Sequence, residues 1–291
     1  MKRRAFVVSS LLLSAIPAWA AKERFTRGVL WRVTKKGVAP SHVYGTIHVA
    51  DPRLDELPAA VRKAFEGARS LMLEFLPDAY AKERFLEAAL LPERQTLEEI
   101  IGREDFERAL KHLQPIGLTP EFVNKLKPWG VLLNLRDPRA EGGAPLDTLL
   151  LELARARRIP LYQIEGVEEQ IFTFDEFPLG SQVALLKHSL AHSDELLALS
   201  ERTLEAYLSG DLARIWQLRE QFVARYPEIA PHQAIMTKRV VLDRSVVMAF
   251  RMQRQLRRGE AFVALGALHL FSEKGVLALL EHDGYRAVRV L

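Results

Sequence analysis

One short pattern occurs twice in this chain, at Tyr44-Gly45-Thr46-Ile47-His48 and at Leu265-Gly266-Ala267-Leu268-His269. In each copy an apolar run ends in Gly, two residues follow, and then comes His. A Gly at that point lets the backbone bend or approach closely, and the His then projects from the carboxyl end of its strand. In α/β sheets that edge is where sites form. Two acids fall at comparable places: Glu74 near the end of the apolar run 70–75, and Glu165 at the end of the run 159–165. A carboxylate at the end of an apolar strand is costly to bury unless it is paired, protonated or metal-bound. Two imidazoles with one or two carboxylates can hold a divalent transition metal. The same set without a metal supplies a general acid and a general base. Taken singly, each His is more often a hydrogen-bonded core or surface residue, and Glu74 could be a buried ion-pair partner. The repetition of the pattern is what points to a shared site.

Periodicity indicates the elements that must position these residues. Residues 29–34 and 41–49 are rich in Val, Tyr, Thr and Trp, with Lys35-Lys36-Gly37 between them, and predict an antiparallel hairpin. Residues 57–68 place Leu57, Val61, Ala64, Phe65 and Ala68 at helical spacing, with Pro58 suited to a first turn. With the strand at 70–75 this makes a strand–helix–strand unit. Its two strands are expected as parallel neighbours, with Glu74 beside His48. Residues 79–130 read as helices interrupted at Pro92, Pro115, Pro120 and Pro128. Further helices are expected at 146–158, 183–208, 212–226, 239–258 and 274–282, and strands at 159–165, 262–265 and 286–290. The expected fold is a single α/β domain over residues 21–291. Its sheet is mixed and largely parallel, flanked by helices, with an N-terminal β-hairpin and helix-rich inserts at about 79–130 and 183–258.

Composition narrows the chemistry. The chain has 291 residues, 48% hydrophobic and 27% charged, which excludes disorder and a multi-pass membrane protein. It has no Cys, so there is no disulfide, thiolate nucleophile, Cys-ligated zinc, iron–sulfur cluster or lipid-modified N-terminal Cys. Any metal must be held by His, Asp, Glu or backbone oxygen. The formal charge of +4 shrinks on inspection. Lys2, Arg3 and Arg4 precede the apolar run 5–17 and Ala18-Trp19-Ala20, a secretory signal pattern with cleavage expected after Ala20. That run is far shorter than the roughly 20 residues needed to span a bilayer. The remaining chain carries +1, which gives no electrostatic reason to expect nucleic acid. The expected location is the periplasm, with no stable membrane anchor after cleavage.

Other features point elsewhere. Phosphate-loop, dinucleotide and nucleophile-elbow motifs are absent. His42 shares a strand face with His48, but six residues of strand separate them by about 20 Å. His188 and His192 are an i, i+4 pair without an acid between them, and read as a solvated helix face. The basic stretch 251–258 reads as an exposed helix end. Phe172, Phe174 and Phe177 are either a lid or packing.

The residues also resemble the TraB/GumN family, which is related to the Tiki proteases. The resemblance lies in the two Gly-x-x-His elements, Asp51-Pro52 after the first, Glu74, Lys127-Pro128-Trp129, Leu146-Asp147, Ile164-Glu165 with Gln170, and the closing Gly275 and Gly284-Tyr285. It covers about residues 28–290. The resemblance implies a metal-dependent hydrolase related to erythromycin esterase-like and ChaN-like proteins; the animal Tiki members are proteases associated with manganese or cobalt. It implies that His48, His269 and Glu74 form the site, the two histidines binding the metal or poising a water. Glu74 is then either a third ligand or the base that takes the water's proton. Arg244 matches a family arginine that could stabilise an oxyanion. The family has Asn after that arginine, whereas this chain has Ser245, although Met248 is kept. Glu165 and Gln170 would orient an imidazole, and Asp147 would do the same or cap its helix.

Three functions follow. The first is an exported metal-dependent hydrolase, a peptidase being its narrower form, using manganese, cobalt or zinc; the same donors also suit iron. The second is a metal-independent, esterase-like hydrolase with His as general base. The third is a non-catalytic periplasmic binding or regulatory protein. The substrate, whether peptide, protein or small molecule, is not named by the sequence.

Overall fold

A computed structural model of the chain describes residues 24–135 and 145–291. The signal-like segment lies outside the described residues. Strands β1 (Leu30–Lys35) and β2 (Val38–Thr46) form the expected hairpin, with Leu30 opposite Tyr44 and Lys35 opposite Val38. The turn between them places Gly37 at φ +79°, in the left-handed region that suits Gly. β3 (Ser70–Leu73), β4 (Leu161–Gln163) and β5 (Ala261–Gly266) complete a parallel set with β2. β6 (Arg286–Arg289) closes the far edge antiparallel to β1. The order across the sheet is β4-β3-β5-β2-β1-β6. β3 is buried throughout and β5 almost throughout, as expected for central strands covered on both faces.

Helix α1 (Ala59–Glu66) connects β2 to β3 and buries Val61, Ala64 and Phe65. A helical insert follows: α2 (Ala79–Ala88), α3 (Leu97–Ile101), α4 (Arg103–Leu113), α5 (Pro120–Val123) and α6 (Pro128–Asn134). Pro120 and Pro128 open α5 and α6, where a missing N–H does no harm. α7 (Leu146–Arg157) leads into β4. A second helical stretch holds α8 (Val167–Asp175), α9 (Leu179–Ala191), α10 (Ser193–Leu208), α11 (Leu212–Arg225) and α12 (Ala230–Thr237). A π-helical turn, Lys238–Asp243, runs into α13 (Arg244–Leu256), and α14 (Val276–His282) joins β5 to β6. The main apolar core lies around the sheet and includes Leu30, Val43, Leu71, Phe262 and Met248. A second cluster, including Leu97, Ile101, Leu113 and Trp129, joins the insert to Leu186 and Leu190 of α9.

Two expectations need correction. β2 and β3 are not neighbours, because β5 lies between them. The crossover through α1 leaves a strand-wide gap, which an apolar strand from the far end of the chain fills. The stretch 183–208 is not one helix with a solvated histidine face. It breaks at His192, and His188 is buried. The His188 ring stacks on His192 at 4.4 Å between centroids and meets Phe222 and Tyr226, because α11 packs over it. By contrast, Arg254, Arg257 and Arg258 are exposed at the end of α13, as expected.

Candidate functional site

Four parallel strands deliver four side chains to one edge of the sheet. His48 follows β2, Glu74 follows β3, Glu165 follows β4 and His269 follows β5. Backbone pairing continues past the strands: the Glu165 N–H donates to the Glu74 carbonyl at 2.9 Å, which sets the two acids side by side. The convergence point is Gly266, the last residue of β5. A Cβ there would lie 3.3 Å from Glu74 Oε1, 3.6 Å from His269 Cδ2 and 3.9 Å from His48 Nε2. The Gly266 N–H also donates to Glu74 Oε1. Glu74 and His48 therefore face each other across β5's last residue rather than from adjacent strands.

Hydrogen bonding fixes the state of His269. This residue ends a 3-10 turn, Ala267–His269, and is buried. The Ser245 hydroxyl donates to the Val241 carbonyl at 2.7 Å, and its oxygen stands 2.9 Å from His269 Nδ1. A hydroxyl has one proton, so Ser245 accepts from Nδ1–H. That leaves the lone pair on Nε2, 3.9 Å from Glu74 Oε1. Burial pushes the His269 pKa down to about 4, against the pull of Glu74, so the ring is neutral at pH 7.

His48 is held differently. Its side chain is 62% exposed, and Nδ1 pairs with Asp147 Oδ2 at 3.0 Å. Asp147 lies in the first turn of α7, where its Oδ1 accepts from the Thr46 hydroxyl at 3.1 Å. The Asp147 contact raises the His48 pKa to about 9 despite some desolvation.

The acids share one guanidinium. Arg244 is buried at the start of α13; its Nη2 donates to Glu74 Oε2 at 2.7 Å and to Glu165 Oε2 at 2.6 Å, and its Nε donates to Glu165 at 2.9 Å. Nη1 donates to the Val240 carbonyl of the π-helical turn at 3.3 Å. Gln170 Nε2 donates to Glu165 Oε2 at 2.8 Å. Burial alone would raise the Glu74 pKa. His269, Arg244, His48 and the Gly266 N–H outweigh it and bring the value to about 2. Two buried carboxylates thus face one buried cation, an excess of negative charge beside two imidazoles.

The sequence-derived residues are brought together, with some roles redistributed. Asp147 orients an imidazole, that of His48. Glu165 and Gln170 touch no imidazole; they hold Arg244, whose N–H groups are largely spent on carboxylates. Sequence reasoning missed Ser245 as the partner of His269; its only signal was the departure from the family's Asn. Thr46 and the π-helical turn were missed as well. His42 sits within β2 opposite Phe262, and His188 and His192 lie on the α9–α10 junction, so none of them belongs to this edge.

The donor chemistry suits a divalent metal. Both imidazoles have Nδ1 engaged and Nε2 turned towards one space, with a carboxylate and surplus negative charge alongside. Among the described residues, no three His, Asp or Glu side chains are gathered as a ready cage for such an ion.

A family model described as the TraB/PrgY/gumN family matches residues 29–289, and the chain belongs to that family. Metalloprotease TIKI2 of Xenopus tropicalis is 25% identical over 307 residues, covering 88% of this chain and 58% of that protein. Metalloprotease TIKI1 of Homo sapiens is 24% identical over 310 residues, covering 88% and 60%. The uncharacterized protein YbaP of Escherichia coli K12 is 26% identical over 261 residues, covering 85% and 90%. The chain therefore spans about three fifths of the length of these two Tiki relatives and nine tenths of YbaP.

Proposed function

We propose that this TraB/PrgY/gumN family member is an exported, metal-dependent hydrolase of peptide bonds with His48, His269 and Glu74 as its reactive centre. The observation that carries the reading is the convergence of His48 Nε2, the His269 ring and Glu74 Oε1 on Gly266. The names of the Tiki relatives support the reaction class. The signal-like pattern of residues 1–20 supports export.

His48 Nε2, His269 Nε2 and Glu74 Oε1 would hold the ion, whether manganese, cobalt or zinc. When bound, the ion supplies a water acidified towards neutral pH and a polarised carbonyl. Ser245 keeps the His269 proton on Nδ1 and presents the Nε2 lone pair. Asp147 holds the His48 ring from the Nδ1 side. Arg244 keeps Glu74 ionised and fixed beside Gly266. Arg244 and the Gly266 N–H hold Glu74 as a carboxylate, so it stands ready as a donor to a cation. The test is hydrolysis of a mixed peptide library by purified protein. Activity should vanish on exhaustive chelation and return with manganese, cobalt or zinc; full activity after chelation contradicts the reading.

A metal-free, esterase-like hydrolase is the second reading. The observation favouring it is the His48–Asp147 pair, an imidazole oriented by a carboxylate with Nε2 directed at the same space. Its raised pKa makes His48 the acid of this reading at neutral pH, so the general base it needs is the neutral His269. The chelation experiment separates the two readings.

A further inference from the structure

Beside this edge lies a pocket that the reactive centre leaves unused. About 600 Å³ of space opens between α2, the α5–α6 segment and α8, walled by Phe75, Phe85, Phe122, Leu126 and Trp129 and bordered by Gln170. That size, with an apolar lining and few polar groups, is typical of a site for an organic ligand. Trp129 stacks on Phe174 (5.7 Å, 22°) and meets Phe85 edge-on (5.4 Å), so the aromatic wall is braced from behind.

Two links join the pocket to the reactive centre. Phe75 directly follows Glu74 in the chain. Gln170 donates its amide N–H to Glu165, which holds Arg244, which holds Glu74. Because that amide nitrogen is committed to Glu165, Oε1 of Gln170 is left to accept; among the described residues it has no partner. A backbone N–H would satisfy it, and a bare acyl chain has none to offer.

We propose that this pocket is the specificity subsite of the hydrolase. It takes a large aromatic or branched aliphatic side chain of a peptide, close to the bond that is cleaved, while Gln170 Oε1 accepts a backbone N–H of the same strand. This rests on the peptidase reading, and the test keeps the two apart. Binding is measured by calorimetry on the His48→Ala protein, which retains the pocket, with acetylated peptides Gly-Gly-X-Gly-Gly-Gly in which X is Phe, Leu, Ala or Asp, and with dodecanoate. Cleavage of the same peptides is then measured on the unmodified protein. Phe and Leu peptides should bind at least about tenfold more tightly than Ala and Asp peptides, the usual scale for filling an apolar pocket. Leu86→Glu and Leu133→Glu, both at exposed positions on the rim, should each erase that preference. Equal binding of all four peptides, or saturable binding of dodecanoate without any peptide preference, overturns the subsite whether or not peptides are cleaved. A clear preference without cleavage by the unmodified protein upholds the subsite and sinks the peptidase reading.

Discussion

The two Gly-x-x-His elements are nearly the same in sequence and opposite in physics. In the first, Gly45 is buried and the imidazole three residues on is wet. A Cβ on Gly45 would stand 2.7 Å from Leu270 Cδ1 and 3.0 Å from Ala267 Cα, so this Gly lets one element lie against the other. In the second, the atoms nearest a Cβ on Gly266 belong to Glu74, His269 and His48, at 3.3–3.9 Å, so that Gly leaves room between them. His48 is exposed, paired with Asp147 and raised to about 9; His269 is buried, held by Ser245 and lowered to about 4. A repeated motif thus delivers one charged, solvent-facing imidazole and one dry, neutral one. A divalent ion would have to displace a proton from the first and find the second already free.

The largest effects should follow from removing a charged partner on the buried or on the exposed side. Arg244→Met leaves two buried carboxylates without their cation and should cost about 3–5 kcal/mol in urea unfolding. Asp147→Asn, at a partly exposed pair, should cost less, about 1–2 kcal/mol. Equal losses would erase the distinction. The glycines come next. Gly45→Ala should destabilise by about 1–3 kcal/mol through overpacking. Gly266→Ala should melt close to the parent temperature yet lose hydrolysis, because its new methyl enters the site.

The pH response sharpens the contrast in metal-free protein. The His48 ring should titrate near 9 by NMR and fall towards 6.5 in Asp147→Asn, while His269 stays neutral down to about 4. A raised His48 pKa favours the fold below about 6.5, and that contribution fades as pH rises through 9. The lowered His269 pKa withdraws stability as pH falls from about 6.5 to 4, and that of Glu74 as pH falls from about 4.5 to 2. The alkaline limb therefore belongs to the exposed element and the acid limb to the buried one. The smallest expected effect is that of Ser245→Ala, about 1 kcal/mol for one hydrogen bond but about tenfold in metal affinity. Ser245→Asn, which supplies another acceptor for Nδ1–H, should restore the affinity.

Much of this was legible in the residues. The hairpin and the α1 unit follow from local periodicity, Gly45, Gly266, His48 and His269 from a repeated pattern, and Glu74 from its place at the end of an apolar strand. What escaped depends on long-range packing. The entry of β5 between β2 and β3 pairs Phe262 with His42 and with Leu71, far apart in the chain, and no local signal marks it. The partners of Glu165, Asp147 and Ser245 were hidden for the same reason: each is set by where α7, α8 and α13 dock. His188 looked solvated because no acid accompanies the His188/His192 pair in the sequence; Phe222 of α11 and Tyr226 cover it.

The proposed centre requires the two unlike histidines to share one ion. Purified protein, dialysed against manganese, cobalt or zinc and then against buffer, can be assayed for bound metal by plasma mass spectrometry alongside His48→Ala and His269→Ala. About one ion per chain is expected in the parent protein, with loss of that ion in each single variant. A parent protein that retains none of the three metals, or variants that retain as much as the parent, would contradict it.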